Sequence, residues 1–126
     1  MKFLVWGVVL AITLFGIFLF TGKSNGPKLS MQTIQADIAS GAVLVDVRTP
    51  AEFAAGHIEG AVNLPLQNIQ AGAVPVKDKS ATVYVYCHSG NRSTQATALL
   101  KKEGYSSIVN LGAMTHVQSI GGVVKS

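Results

Sequence analysis

Thr82-Val83-Tyr84-Val85-Tyr86-Cys87-His88-Ser89-Gly90-Asn91-Arg92-Ser93 is the stretch that decides the fold. Its first five residues are all β-branched or aromatic, the composition of a strand. His88 to Asn91 is a short turn containing Gly90. Arg92 to Glu103 then places Ala96, Leu99 and Leu100 on one helical face, and Gly104 stops the helix. Strands alternating with helices predict an open parallel sheet covered on both faces. Ligands of such sheets bind just beyond the carboxyl ends of the strands. Cys87 stands at that kind of place.

The neighbouring segments support this α/β reading. Met31, Ile34 and Ile38 are apolar at helical spacing, with Ser30 as N-cap and Gly41 just past the end. Ala42 to Val47 is an almost continuous apolar run, as expected of a buried parallel strand. Thr49-Pro50-Ala51-Glu52 is a helix start: Thr49 caps, Pro50 suits the first helical position and Glu52 closes the capping box. Ala61-Val62-Asn63 reads as a brief strand ended by Pro65, and Leu66 to Lys79 as a short helix and a loop. Ser107 to Asn110 reads as a last strand. Beyond Gly112 the pattern is weak, with a helix expected around Met114 to Ile120.

Cys87 is the one cysteine of the chain. No disulfide can form within the chain, and one cysteine with three dispersed histidines gives no zinc spacing. A lone cysteine is often just a small buried apolar residue. Here a strand-to-helix turn lets several backbone N–H groups converge, and the helix adds the positive end of its dipole. Arg92 adds a full charge five residues on. Such surroundings lower a thiol pKa and make the sulfur a nucleophile. Gly90 suits a turn with positive φ, and Ser89 and Ser93 offer hydroxyls at the rim.

At Val85 to Ser93 the sequence resembles the active-site loop of the rhodanese family, with its pattern C-x-x-G-x-R-S. Leu44 to Phe53, with Asp46-Val47-Arg48 at its centre, and Gly56 to Pro65, with Gly56-His57-Ile58-Glu59-Gly60, resemble two further signatures of that family. Gly104-Tyr105 and Asn110-Leu111-Gly112 resemble its last strand and turn. The resemblance spans most of Ser30 to Gly112. It implies a rhodanese-like three-layer α/β domain with a small central parallel sheet, over residues 30–126.

The resemblance also implies a thiosulfate sulfurtransferase. Cys87 is then the catalytic nucleophile and forms a persulfide. A sulfane sulfur passes from thiosulfate or a similar small donor to a thiophilic acceptor, cyanide or a thiol. His88, Ser89, Gly90, Asn91, Arg92 and Ser93 are the implied substrate-binding residues. No cofactor or metal is implied. Asp46 either tunes the site or anchors loops, because a buried carboxylate needs partners. Arg48 is expected to pair with Glu52, His57 to fix a loop, and His88 to titrate beside the substrate. Two positions depart from the family pattern: Ala113 stands for a second glycine and Val117 for a tryptophan, which bears on the last element and one wall of the pocket.

Two other readings compete. A phosphatase or arsenate-reductase relative needs one more residue between cysteine and arginine than Cys87 and Arg92 provide. A non-catalytic binding module of the same fold commonly lacks the cysteine, which this chain keeps.

The first 29 residues read differently. Phe3 to Phe20 is wholly uncharged, and its 18 residues make a hydrophobic helix of about 27 Å. Residues 1–24 are therefore expected to be a signal peptide or an uncleaved membrane anchor, with 25–29 as linker. The basic flanks, Lys2 against Lys23 and Lys28, do not decide orientation. The expected location, by likeness to small exported rhodaneses, is the periplasmic side of a bacterial inner membrane, anchored or secreted. Charge is concentrated in the same segment. The chain carries 10 basic and 6 acidic residues, and setting aside Lys2, Lys23 and Lys28 leaves 7 against 6. With no basic run in the domain, nucleic acid is not an expected partner.

Overall fold

The computed structural model describes residues 28–126. The expected hydrophobic helix, with the signal-or-anchor reading, lies outside the described residues. Among the described residues no helix is long and apolar enough to cross a membrane.

The elements are α1 (Met31–Ala39), β1 (Val43–Asp46), α2 (Pro50–Ala55), β2 (His57–Ile58), β3 (Val62–Asn63), α3 (Leu66–Gln70), β4 (Val83–Cys87), α4 (Asn91–Lys102), β5 (Ile108–Ala113), α5 (Met114–Ser119) and β6 (Val124–Lys125). A four-stranded sheet has the order β3-β1-β4-β5, with every pairing parallel. The central strands are buried on both faces, so their side chains alternate between two apolar cores. Val45, Val47, Val83, Val85 and Cys87 face Ile69 of α3 and Ala96 and Leu100 of α4. Leu44, Tyr84 and Tyr86 face Met31 and Ile34 of α1 and Val117 of α5. This is the three-layer α/β architecture expected. Each fully buried Val, Leu or Ile contributes roughly 1.5–3 kcal/mol.

Local chemistry starts the helices as anticipated. The Ser30 hydroxyl accepts from the Thr33 N–H at 3.3 Å. At α2 the capping box is complete: the Glu52 N–H donates to the Thr49 hydroxyl at 3.2 Å, and Glu52 Oε1 accepts from the Thr49 N–H at 3.3 Å.

A second, two-stranded sheet pairs β2 with β6, antiparallel. Its strands have two residues each, too few to show an alternating pattern. The C-terminal helix forms as α5 despite the two departures. Ala113 ends β5, and Val117 is fully buried in the core that α1 and α5 cover, so it does not form a pocket wall.

Candidate functional site

β4 delivers Cys87 to the carboxyl end of the sheet, where β1 ends in Asp46 beside Tyr86. The register of β4 against β5 shifts between Val85 and Tyr86, so Cys87 pairs with Ala113. Ser89 makes a further bridge to Ala113. The turn thus leans on the end of β5 before α4 begins. Gly90 caps α4 with φ at +100°, where a side chain is strained. Its backbone also passes close to Gly112, whose Cα lies 3.7 Å from where a Cβ of residue 90 would stand.

The loop wraps its donors round the sulfur. The Gly90 N–H donates to Cys87 Sγ at 2.9 Å. Burial pushes the thiol pKa up, but the Ser93 N–H and hydroxyl and the N–H groups of Gly90 and Ser89 more than offset it. The net displacement is downward from the ordinary 9.0. Cys87 is 0% exposed, which keeps water from competing for those donors. The Ser93 hydroxyl also lies 3.0 Å from the Gly90 carbonyl, to which it donates. It therefore has an acceptor whether or not the sulfur is ionised.

Not every anticipated binding residue faces the sulfur. Asn91 is exposed, and its Oδ1 accepts from Gln95 Nε2 one turn along α4. His88 is exposed at the rim of a cleft of about 360 Å³ shared with Glu52, Gly56, Met114 and Val124. A second cleft, about 470 Å³, is lined by Pro50, Leu66, Gln67, Asn68 and Arg92. A third, lined by Asp37, Asp78 and Thr82, lies at the opposite end of the strands and takes no part in the chemistry of Cys87.

The ion pairs differ from expectation. Arg48 does not pair with Glu52. Asp46 is fully buried and takes Arg48 for itself, through Nη2 at 2.7 Å, Nε at 3.0 Å and the Arg48 backbone N–H at 2.9 Å. A fully buried carboxylate demands such partners more strictly than the part-buried Glu52 does. Arg48 Nη2 also donates to the Gly56 carbonyl at 2.6 Å. Its guanidinium lies 6.0 Å from the centroid of the Tyr86 ring. The Tyr86 hydroxyl in turn accepts from the Ile58 N–H at 3.0 Å. Asp46 thus anchors the loops behind β4. His57 fixes its own loop as anticipated: Nδ1 lies 2.9 Å from the Phe53 carbonyl, and the ring stacks on Phe53 at 3.7 Å.

Glu52 is the site residue that sequence reasoning missed. Its carboxylate pairs end-on with Arg92, Oε1 to Nη1 at 2.6 Å and Oε2 to Nη2 at 3.0 Å. The Arg92 hydrogen bonds, against a desolvation cost and with help from Thr49, hold the Glu52 carboxyl down at about 2. Arg92 is held above its ordinary value by Glu52 first, with the nearby Cys87 adding attraction. The capping-box spacing marked Glu52 as a helix residue, and nothing local pointed to a partner 40 positions on.

The fold and the cysteine loop define a class, and the comparisons agree with it. Residues 30–116 match the family described as Rhodanese-like domain. The chain belongs to that family. It is 38% identical over 74 residues to the thiosulfate sulfurtransferase PspE of Escherichia coli, covering 58% of this chain and 71% of PspE. It is 42% identical over 88 residues to the thiosulfate sulfurtransferase GlpE of Pseudomonas fluorescens, covering 70% of this chain and 80% of GlpE. It spans only 48% of the putative sulfur carrier protein YrkF of Bacillus subtilis, at 31% identity. Among solved structures, a rhodanese with anions from E. coli superposes with a TM-score of 0.57 at 35% identity, covering 68% of this chain and 99% of that one. The human single-domain sulfurtransferase TSTD1 gives a TM-score of 0.60 at 29% identity, covering 75% of this chain and 97% of TSTD1.

Proposed function

We propose that this protein is a sulfurtransferase that carries a sulfane sulfur on Cys87. The observation that supports this best is the buried Cys87 sulfur at the strand end, accepting from the Gly90 N–H at 2.9 Å inside a loop whose donors favour the thiolate. In the first half-reaction the Cys87 thiolate attacks the outer sulfur of thiosulfate. The S–S bond of thiosulfate breaks, sulfite leaves with the bonding pair, and Cys87 becomes an anionic persulfide. In the second half, an acceptor such as cyanide or a thiolate attacks the outer sulfur. The persulfide bond breaks and the Cys87 thiolate returns. This is covalent catalysis by a nucleophile regenerated at each turnover. The same ring of N–H donors serves both anionic states, and no proton has to move to complete the cycle with cyanide.

The exposed loop residues His88 and Asn91 then contribute rim contacts at most, while Ser89, Gly90 and Ser93 hold the sulfur. Arg92 meets the donor through whatever charge Glu52 leaves it. We propose the domain's location on two sequence grounds, the apolar Phe3–Phe20 segment and the likeness to small exported rhodaneses: the periplasmic side of a bacterial inner membrane, anchored or released. An export-dependent reporter enzyme fused after Ser126 should be active, and a silent one would put the domain inside.

Incubation with thiosulfate tests the chemistry. The peptide containing Cys87 should gain one sulfur, about 32 Da, and release it on addition of cyanide. Cys87→Ser should take up none. Transfer activity that survives in that variant rules out the mechanism.

A further inference from the structure

Two guanidinium groups lie near the cysteine loop, and each is already engaged by a carboxylate. Arg48 is buried against Asp46, and Arg92 is paired end-on with Glu52. The second pair is a third exposed, at 33% and 35% for its two side chains. Arg92 faces one cleft beside the loop and Glu52 the other, so the pair stands between them. The remaining titratable side chain at the rim is His88. A dianion approaching the Cys87 thiolate therefore meets cations whose charge is already cancelled, and its attraction rests on the loop N–H groups.

We propose that Glu52 is a specificity-determining residue: by cancelling the charge of Arg92 beside Cys87 it disfavours dianionic sulfur donors relative to donors carrying one negative charge or none. The donor half of this inference rests on the sulfurtransferase reading above; the charge half does not. Glu52 has two separable roles in the structure, which makes the test clean. As third residue of α2 it accepts from the Thr49 N–H, a role glutamine fills equally well. Only the pairing with Arg92 needs its charge.

The test compares the wild-type full-length chain with Glu52→Gln and Glu52→Asp. Cys87 is alkylated with iodoacetamide, which is neutral, and with iodoacetate, which is an anion of similar size, at equal ionic strength. The ratio of the two rates cancels any change in the ionised fraction of the thiol. It reads the local charge, whatever reaction the protein catalyses. In Glu52→Gln the iodoacetate-to-iodoacetamide ratio should rise about three- to fivefold, as expected for one partly exposed charge. Glu52→Asp keeps the charge and should stay within about twofold of wild type. The KM for thiosulfate should fall about nine- to twenty-fivefold in Glu52→Gln, because a dianion senses the lost charge twice and the fold-change is squared. An unchanged or lower ratio in the glutamine variant overturns the proposal, and so does a ratio that rises equally in Glu52→Asp. A raised KM for thiosulfate also overturns it, because Glu52 would then serve only to position Arg92. A risen ratio with no thiosulfate turnover in any of the three proteins supports the charge cancellation and overturns the proposed function instead.

Discussion

Gly90→Ala isolates the contribution of a single N–H to the reactivity of Cys87. A methyl group at residue 90 meets nothing closer than 3.7 Å, so space is not the obstacle. The obstacle is φ at +100°, which costs an L-residue roughly 1–2 kcal/mol. The turn relieves that strain by rotating, and rotation carries away the N–H that now lies 2.9 Å from Sγ. A hydrogen bond to a charged acceptor is worth about 1.5–3 kcal/mol, and one pKa unit corresponds to about 1.36 kcal/mol. The thiol pKa should therefore rise by about one unit, with the lost bond partly replaced by water. The assay is the rate of iodoacetamide alkylation of Cys87 against pH, together with urea denaturation. We expect the alkylation midpoint to move up by about one unit and stability to fall by about 1–2 kcal/mol. Gly41→Ala is the control: φ is +110°, nothing lies within 4 Å, and the residue sits at the far end of β1. It should lose similar stability and leave the midpoint alone. An unchanged midpoint in Gly90→Ala would show that this N–H does not hold the thiolate.

Further outcomes follow from the same geometry. Arg92→Ala removes the cation and leaves the Glu52 carboxylate facing the site, so kcat/KM for thiosulfate should drop about ten- to hundredfold with the fold kept; unchanged kinetics with lower thermal stability would make Arg92 a structural residue. Asp46→Ala strands the buried Arg48 guanidinium and should cost about 3–5 kcal/mol, read by urea denaturation; a loss below about 1 kcal/mol would contradict its anchoring role. The Cys87 thiol is drawn below its ordinary value on folding, so ionisation favours the folded state. That contribution is present above the unfolded thiol range and is lost as pH falls through the folded value. The stability difference between wild type and Cys87→Ser should therefore grow in favour of wild type as pH rises towards the unfolded thiol value of 9.0 and level off above it, and a flat difference would speak against the ring of donors. Truncation after Gly122 removes β6 and the bond from the Glu59 N–H to the Val123 carbonyl, and should cost about 1–2 kcal/mol by thermal melting.

Features with local causes were legible in the sequence. The Thr49-Pro50-Glu52 box, the Ser30 cap, the Val83–Tyr86 run and the Gly90 turn depend on neighbours within four residues, and each stands where the pattern put it. Partner choice was not legible. Arg48 has Asp46 two positions before it and Glu52 four positions after it. Helical spacing favours the second, but burial of Asp46 decides for the first. Glu52 and Arg92 meet only because β1 and β4 lie side by side. The β2–β6 pairing escaped for a different reason: strands of two residues carry no period, and their pairing depends on the C-terminus returning past α5. Val117 shows the limit of reading by family position. A place expected to shape the pocket instead fills a core, where valine packs behind Tyr86 and Leu111.

All five residues of β4, Val83 to Cys87, are buried, and the strand is hydrogen-bonded to β1 on one side and β5 on the other. Its amides have no route to solvent short of dismantling both cores. They belong to the last cooperative unit to open, and their hydrogen exchange should track the global unfolding free energy. The amides of the adjoining His88–Gly90 turn are held by a sulfur and a single bridge, and they should exchange through small local openings. The steepest gradient of protection in the domain then falls between Tyr86 and Ser89, across the cysteine itself. On the proposed mechanism, the Cys87 sulfur that carries the transferred atom is tied through its Cα to the least yielding strand, while the donors that grip it belong to a segment free to loosen.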